Sequence, residues 1–407
     1  YESLPYAMRA ILHDQFGLFL ERTYPDKLDR YVELLAFHFE HSHNEAKKRE
    51  YLRKAGAAAQ AEYANEAAIN YYQRLLPLLP AAEQLAIRLN LGEILQLVGR
   101  LTEADELYRQ TLALAEQLGD QSTQAWCYTA MGELLRKQGQ YAAAWARLEQ
   151  ARNIFEALDD QAGVGQVLHY GGTVAWNQGD YEVARRRYEE SLAIRRQLHD
   201  QDRIARLLSN LGLVAQHLGD YESARQLYTE SLEIRYKLGD KWAIAISLNN
   251  LGYLSIEQGN YEAARTQLDV AVSLYREVGE RLELATALNN LGNVARDQGD
   301  YATARSLYEE GLTINRALEN KYGLAYLLED VGGMAALQGQ PERALQLAGA
   351  AASLREVINA PLPPAEQARL EEMLAPARVA LGEAAAAVIA AGQAMTWPQA
   401  VDYALME

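Results

Sequence analysis

Residues 208–234 read LSNLGLVAQHLGDYESARQLYTESLEI, residues 248–274 read LNNLGYLSIEQGNYEAARTQLDVAVSL, and residues 288–314 read LNNLGNVARDQGDYATARSLYEEGLTI. Each begins forty residues after the last. The same step carries a glycine with a second glycine seven residues later: Gly92/Gly99, Gly132/Gly139, Gly172/Gly179, Gly212/Gly219, Gly252/Gly259, Gly292/Gly299 and Gly332/Gly339. A fixed period of roughly 20–50 residues marks a solenoid, in which each repeat is one supersecondary unit that covers its neighbours.

Within 202–239, Ile204, Ala205, Leu208, Leu211, Gly212 and Ala215 fall three and four apart, on one stripe of a helix. Gly219 offers the left-handed residue that ends it, and Asp220 caps the next helix. The second helix carries Tyr221, Ala224, Tyr228, Leu232, Ile234 and Leu238. Gly212 and Ala224 lack bulk where two antiparallel helices must approach closely. The unit is therefore a helical hairpin, and its apolar stripes are covered only by stacked neighbours. The expected fold is all-α, a right-handed solenoid of stacked antiparallel hairpins, with domains at 1–80, 82–358 and 359–407.

The pattern resembles the tetratricopeptide repeat, in its 40-residue subclass. The small residue of that motif's first helix falls on the seven leading glycines. Its Gly-Asp-Tyr turn falls on Gly179-Asp180-Tyr181, Gly219-Asp220-Tyr221 and Gly299-Asp300-Tyr301. Its alanine and aromatic fall on Ala184/Tyr188, Ala224/Tyr228 and Ala304/Tyr308. The turn tyrosine becomes Leu101 in the first unit and Pro341 in the last, as expected of end repeats.

Residues 1–80 lie outside the register. The stretch 33–80 reads as three helices, the last two, at about 45–62 and 65–78, forming a degenerate hairpin. The opening segment, YESLPYAMRAILHDQFGLFLERTYPDKLDRYVELLAFHFEHS, is similar to the region that follows the ATPase module in bacterial STAND-type signalling ATPases. That resemblance implies a sensor arm whose effector, a cyclase, kinase or DNA-binding domain, lies elsewhere in the polypeptide. Opening on Tyr1, the chain reads as a portion of something longer. Pro361, Pro363, Pro364 and Thr396 before Pro398 mark helix boundaries in a C-terminal cap.

Lysine and arginine total 39 against 55 acidic residues, a net charge of −16 and a pI near 5.0. This balance disfavours loose binding to nucleic acid or anionic membrane. The sole cysteine, Cys127, leaves no disulfide framework, so a reducing cytoplasm is the expected home. The apolar run 384–391 is too short to cross a bilayer. No phosphate loop, GxSxG, HExxH or dinucleotide fingerprint occurs, so no cofactor is expected and catalysis is assigned outside this chain.

Three features invite a functional reading. His38, His41 and His43 with Glu40 could suggest a metal, but no second ligand set accompanies them, and a structural role is expected. Arg185, Arg225, Arg265 and Arg305 recur at one position of the second helix. Glu182, Glu222 and Glu262 sit three residues before the first three, which suits surface ion pairs on a solvated face. The recurrent tyrosines Tyr181, Tyr221, Tyr261 and Tyr301 are expected in the core, since no interleaved basic residues make them a base-stacking platform.

A fourth feature is the position before the first-helix Leu-Gly, which reads Asn90, Ala130, Tyr170, Asn210, Asn250, Asn290 and Asp330. Asparagine is a poor helix former, so its recurrence mid-helix calls for a reason. The family resemblance implies that this position points into a concave groove, where an amide can both donate to and accept from a peptide backbone. Mapped the same way, Arg206, Gln216, Asn249, Tyr253, Asn289, Asn293 and Arg296 line that groove. The competing expectation is a structural ladder in which the asparagines bond to one another or to neighbouring repeats. The function expected is a peptide- or protein-binding scaffold, with an intramolecular clamp on another domain as the alternative; an enzyme or nucleic-acid binder is disfavoured.

Overall fold

A computed structural model describes residues 5–406, and every regular element among them is helical. The chain divides after His199 into two compact units. The first opens with α1 (Tyr6–Thr23), a 3-10 segment (Pro25–Tyr31) and α2 (Val32–Glu40). Four hairpins follow: α3 (Glu45–Ala61) with α4 (Asn65–Leu75), α5 (Ala81–Leu97) with α6 (Leu101–Leu118), α7 (Gln121–Lys137) with α8 (Tyr141–Ala157), and α9 (Gln161–Asn177) with α10 (Tyr181–Gln197). The second unit stacks α11 (Gln201–His217) with α12 (Tyr221–Leu238), α13 (Lys241–Glu257) with α14 (Tyr261–Val278), α15 (Arg281–Asp297) with α16 (Tyr301–Ala317), and α17 (Lys321–Leu337) with α18 (Pro341–Ile358). It closes with α19 (Pro364–Leu381), α20 (Ala385–Gln393) and α21 (Trp397–Leu405).

The punctuation works as the sequence implies. Gly219 and Gly299 sit at φ +80° and end α11 and α15. Asp220 accepts a hydrogen bond from the Ser223 amide at 3.1 Å, capping α12. Asp180 and Asp300 cap α10 and α16 in the same way. After the second helices the punctuation is less uniform. Gly239 and Gly279 take the left-handed conformation, but Asp159 and Glu319 occupy it too, at φ +55° and +51°, where a Cβ is unfavourable.

The leading glycines set the spacing inside each hairpin; Gly92, Gly172, Gly212 and Gly292 face a tyrosine, and Gly132 and Gly252 a leucine. A Cβ built on Gly212 would lie 2.5 Å from Cε1 of Tyr228, whose side chain is fully buried. Gly172 faces Tyr188 and Gly292 faces Tyr308 in the same manner. The forty-residue period passes over one such pair: Gly56 on α3 meets the ring of Tyr72 on α4, which makes the degenerate hairpin a true relative of the others. The turn tyrosines are not core, contrary to expectation. Tyr221 is 37% exposed and Tyr181, Tyr261 and Tyr301 are half-buried, because they open the second helix at the rim of the hairpin. Leu238, at the far end of the same helix, is also exposed.

At the C-terminal end, α20 crosses α18 with the two backbones in contact. A Cβ on Gly349 would fall 2.3 Å from the Ile389 carbonyl oxygen, and one on Gly392 would fall 2.0 Å from that of Gln346. The apolar stretch here is longer than the run 384–391 suggests. Within Glu366–Gln393 an 18-residue window reaches a mean hydropathy of 1.5, enough by length and composition to span a membrane. Gly382, at φ +52°, breaks that stretch into α19 and α20. Ala400, Val401 and Ala404 of α21 join Leu324, Leu328 and Leu354 in a shared core, covering α17 and α18.

Candidate functional site

In the second unit α13, α15 and α17 touch one another directly, whereas α12, α14 and α16 approach one another less closely. The stack therefore bends toward its first helices, whose outward residues form an inner face. The residues expected to line a groove lie on these first helices, some of them buried, and three of them converge.

Asp330 of α17 is the centre of the convergence. Its Oδ2 accepts from Asn289 Nδ2 at 2.9 Å and from Asn293 Nδ2 at 3.1 Å, and its Oδ1 accepts from Arg296 Nη1 at 2.9 Å. Arg296 Nε donates to Asp297 at 2.8 Å, and Tyr308 donates from α16 to Asn293 Oδ1 at 2.7 Å. The Arg296 side chain is only 1% exposed. Burial alone would depress its basicity; Asp330, the Tyr308 oxygen and Asp297 outweigh that and hold the guanidinium firmly charged. Burial, and next the Asp330 carboxylate, raise the Tyr308 phenol. Asn289 spends its amide on Asp330 and leaves its own Oδ1 buried without a donor.

The other predicted residues are spread along the row. Asn290 is buried and donates to Asn249 Oδ1 at 3.1 Å, joining α15 to α13. Asn210 and Asn250 are half-buried on α11 and α13. Arg206 is exposed and paired with Asp202 at 3.0 Å along its own helix. Gln216 donates to Glu257 of the next first helix at 2.6 Å and accepts from Tyr228 at 3.0 Å. Tyr253 is half-buried, and its phenol is raised by burial and then by Glu257 and Glu366. Bonds between neighbouring repeats, the ladder arrangement, thus account for Asn289, Asn290 and Asn293.

Two partners of this cluster lie beyond the repeats. Arg369 of α19 donates to Asp297 Oδ2 at 3.3 Å, and Met373 of α19 rests where a Cβ on Gly333 would stand, 2.2 Å from that point. Sequence periodicity has no access to contacts between residues 72 apart. Asp330 and Arg296 did carry a signal. Each replaces a neutral residue of the equivalent positions, Asn290 and Ile256, and the two substitutions bring opposite charges.

The arginine row differs from expectation. Arg185 pairs with Glu182 at 2.5 Å, but Arg225 donates to Gln258 and Arg265 to Gln298, at 2.8 Å for the latter, linking successive hairpins. In the first unit, His13 joins the histidines of α2, its Nδ1 lying 2.8 Å from that of His38, with the His41 ring 5.2 Å away. Burial, then the neighbouring positive charges, lower both His13 and His38. Among the described residues no group of three or more His, Cys, Asp or Glu is disposed to hold a metal.

The sequence profile of the tetratricopeptide repeat matches residues 83–157, 164–237, 203–277, 243–317 and 283–356. No curated protein sequence matches the chain. Among solved structures, it is similar to a STAND signal transduction ATPase with a tetratricopeptide repeat sensor from Pyrococcus horikoshii, at 17% identity and a TM-score of 0.60. That match covers 91% of this chain and 55% of the other, so the chain spans little more than half of that protein. It is also similar to the apo form of the quorum sensor NprR from B. thuringiensis, at 15% identity and TM-score 0.58, over 84% of this chain and 97% of that one. A third similarity is to the Rap conjugation gene regulator of plasmid pLS20 in complex with the Phr* peptide, at 14% identity and TM-score 0.55, over 68% and 76%.

Proposed function

This chain belongs to the tetratricopeptide repeat family, and we propose that it works as a recognition scaffold that takes a peptide or protein segment on the inner face of its hairpins. The observation that carries this reading is the amide-lined row of first helices in the second unit, where Asn210, Asn250 and Tyr253 stay half-buried rather than sealed in the core. An extended or helical segment laid along such a row meets donors and acceptors at regular steps. The fold it shares with a Rap regulator solved with a peptide supports the same reading.

The scaffold serves as the sensor arm of a larger signalling ATPase. The fold shared with the STAND protein supports this, as does the exposed apolar face of α1 and α2, where Ile11, Phe16, Phe19 and Phe37 stand in solvent. Faces of that kind are covered by a neighbouring segment in a complete assembly. Capture of a ligand then shifts the balance between two states of the attached module. The site of action is a reducing, cytoplasmic compartment.

The test is an affinity capture with the parent chain and the variant N210A/N250A, with retained proteins identified by mass spectrometry. Loss of two hydrogen bonds at about 0.5–1.5 kcal/mol each predicts a drop of roughly five- to a hundredfold for a specific partner. A variant that remains folded and retains that partner as tightly as the parent refutes the groove reading. A variant that loses stability shows the asparagines to be the rungs of a structural ladder.

A further inference from the structure

The helix α19 is not a simple end cap. Of its described side chains only Leu374 and Ala377 are buried, and they pack on Ala335 of α17 and on Ala344 and Leu345 of α18. The N-terminal half crosses the inner face instead. Arg369 reaches Asp297 of α15 at 3.3 Å, and Met373 fills the gap that Gly333 leaves on α17. Gly333 occupies the step held by Asn293, Tyr253 and Leu213 in the preceding hairpins, so Met373 sits on the row assigned to ligand. The Tyr253 and Tyr326 phenols both feel the Glu366 carboxylate, which places the start of α19 beside α13 and α17.

The attachment of α19 is weak by construction. Pro376 inside the helix lacks an amide proton for the bond back to residue 372. Extended prolines precede the helix and Gly382 follows it, so the segment is bounded by breaks at both ends. Arg369 and Met373 stand four residues apart, on one face of the helix. The surface they meet is acidic: Asp297 and Asp330 share one buried cation, Arg296, and Glu257 lies on the neighbouring helix.

Resting on the groove reading above, we propose that α19 is a displaceable occupant of the inner face of the second unit. The ligand that replaces it is a helical peptide carrying a basic side chain and, four residues later, a long apolar one. The cation answers Asp297, and the apolar chain enters the space beside Gly333. Because the resident helix is tethered, it competes at high effective concentration, so an outside ligand gains access only by matching or exceeding these contacts.

The experiment uses the full chain and a fluorescent synthetic peptide of residues 364–381 as probe. The variant R369A/M373A loosens the resident helix, and fluorescence anisotropy is expected to show at least tenfold tighter peptide binding than the parent gives. Adding D297N, or using a peptide with Arg369→Ala, is expected to reverse most of that gain. Hydrogen exchange on the parent is expected to show α19 amides opening faster than those of α17 and α18, and faster still in R369A/M373A. No peptide binding by the folded variant, equal binding by variant and parent, or α19 exchange as slow as α18 each overturns the proposal. Such a result beside a partner lost in N210A/N250A leaves the groove reading standing; α19 displacement with no partner lost there refutes the amide row as the ligand contact and leaves the contacts of α19 standing.

Discussion

Replacing Gly212 with alanine tests the physical basis of the hairpin. The added Cβ would stand 2.5 Å from Cε1, 2.7 Å from Cδ1 and 3.0 Å from Cζ of Tyr228. Carbon atoms prefer about 3.5–4.0 Å, so the ring must retreat by roughly 1 Å. It is poorly placed to do so, since Tyr228 is fully buried and its hydroxyl is tied to Gln216, which in turn holds Glu257. Overpacking of this kind costs about 1–3 kcal/mol, while alanine gains about 1 kcal/mol in helix propensity over glycine. For so close an approach the upper part of that range applies, about 2–3 kcal/mol, so Gly212→Ala should destabilise by roughly 1–2 kcal/mol when Tyr228 is present. In a Tyr228→Ala background the clash is gone and only the propensity remains, so the same change should stabilise by about 0.5–1 kcal/mol. Urea titrations of the four chains by far-UV circular dichroism, fitted with a common slope, give the cycle. The same sign in both backgrounds, or a Gly212→Ala chain as stable as the parent, refutes close approach as the reason for the glycine.

Asp330→Ala removes one of the two carboxylates that answer the buried Arg296 and should cost about 3–5 kcal/mol, read as a fall in thermal midpoint; Arg296→Met with Asp330→Leu should recover most of it. Burial, and then Asp120, push the Cys127 thiol up to about 12, so a thiol reagent should label it slowly in the native chain and rapidly in denaturant. Fast native labelling refutes its burial. His13 and His38 are held below the ordinary 6.5, so the fold favours their neutral forms. Their contribution is complete above that value and is lost as pH falls through the lowered one, so proteolysis within α1 and α2 should quicken as pH drops from about 7 to 5, and His13→Gln should flatten that dependence.

The forty-residue period made the hairpins, their caps and the small-residue contacts readable, because these depend on neighbours within one turn or one repeat. The hairpin of Gly56 and Tyr72 escaped the fixed period because Gly56 precedes Gly92 by 36 residues rather than forty. Burial of a tyrosine turned on its place along the helix: Tyr228 points between helices, whereas Tyr221 starts one at the rim. The site was legible as a row of amides but not as a network. What converts Asn289, Asn293 and Arg296 into one cluster is a carboxylate on the next hairpin, and what covers it is a helix 72 residues further along. The crossing of α18 and α20 depends likewise on Gly349 and Gly392, which no local pattern connects.

The Arg296–Asp330 pair also bears on how the array can change its copy number. The repeats share a backbone plan, yet at this junction the pairing rests on a buried charge, with Arg296 only 1% exposed. Duplicating the 281–320 unit would set Arg296 of the first copy against an asparagine, the residue at the step of Asp330, and leave a buried cation short of a carboxylate. Deleting that unit would set Asp330 against Ile256, stranding the anion instead. Either slip in register is penalised in the folded chain, because it strands a buried charge. The junction therefore acts as a fixed punctuation mark that pins the order of the last two repeats.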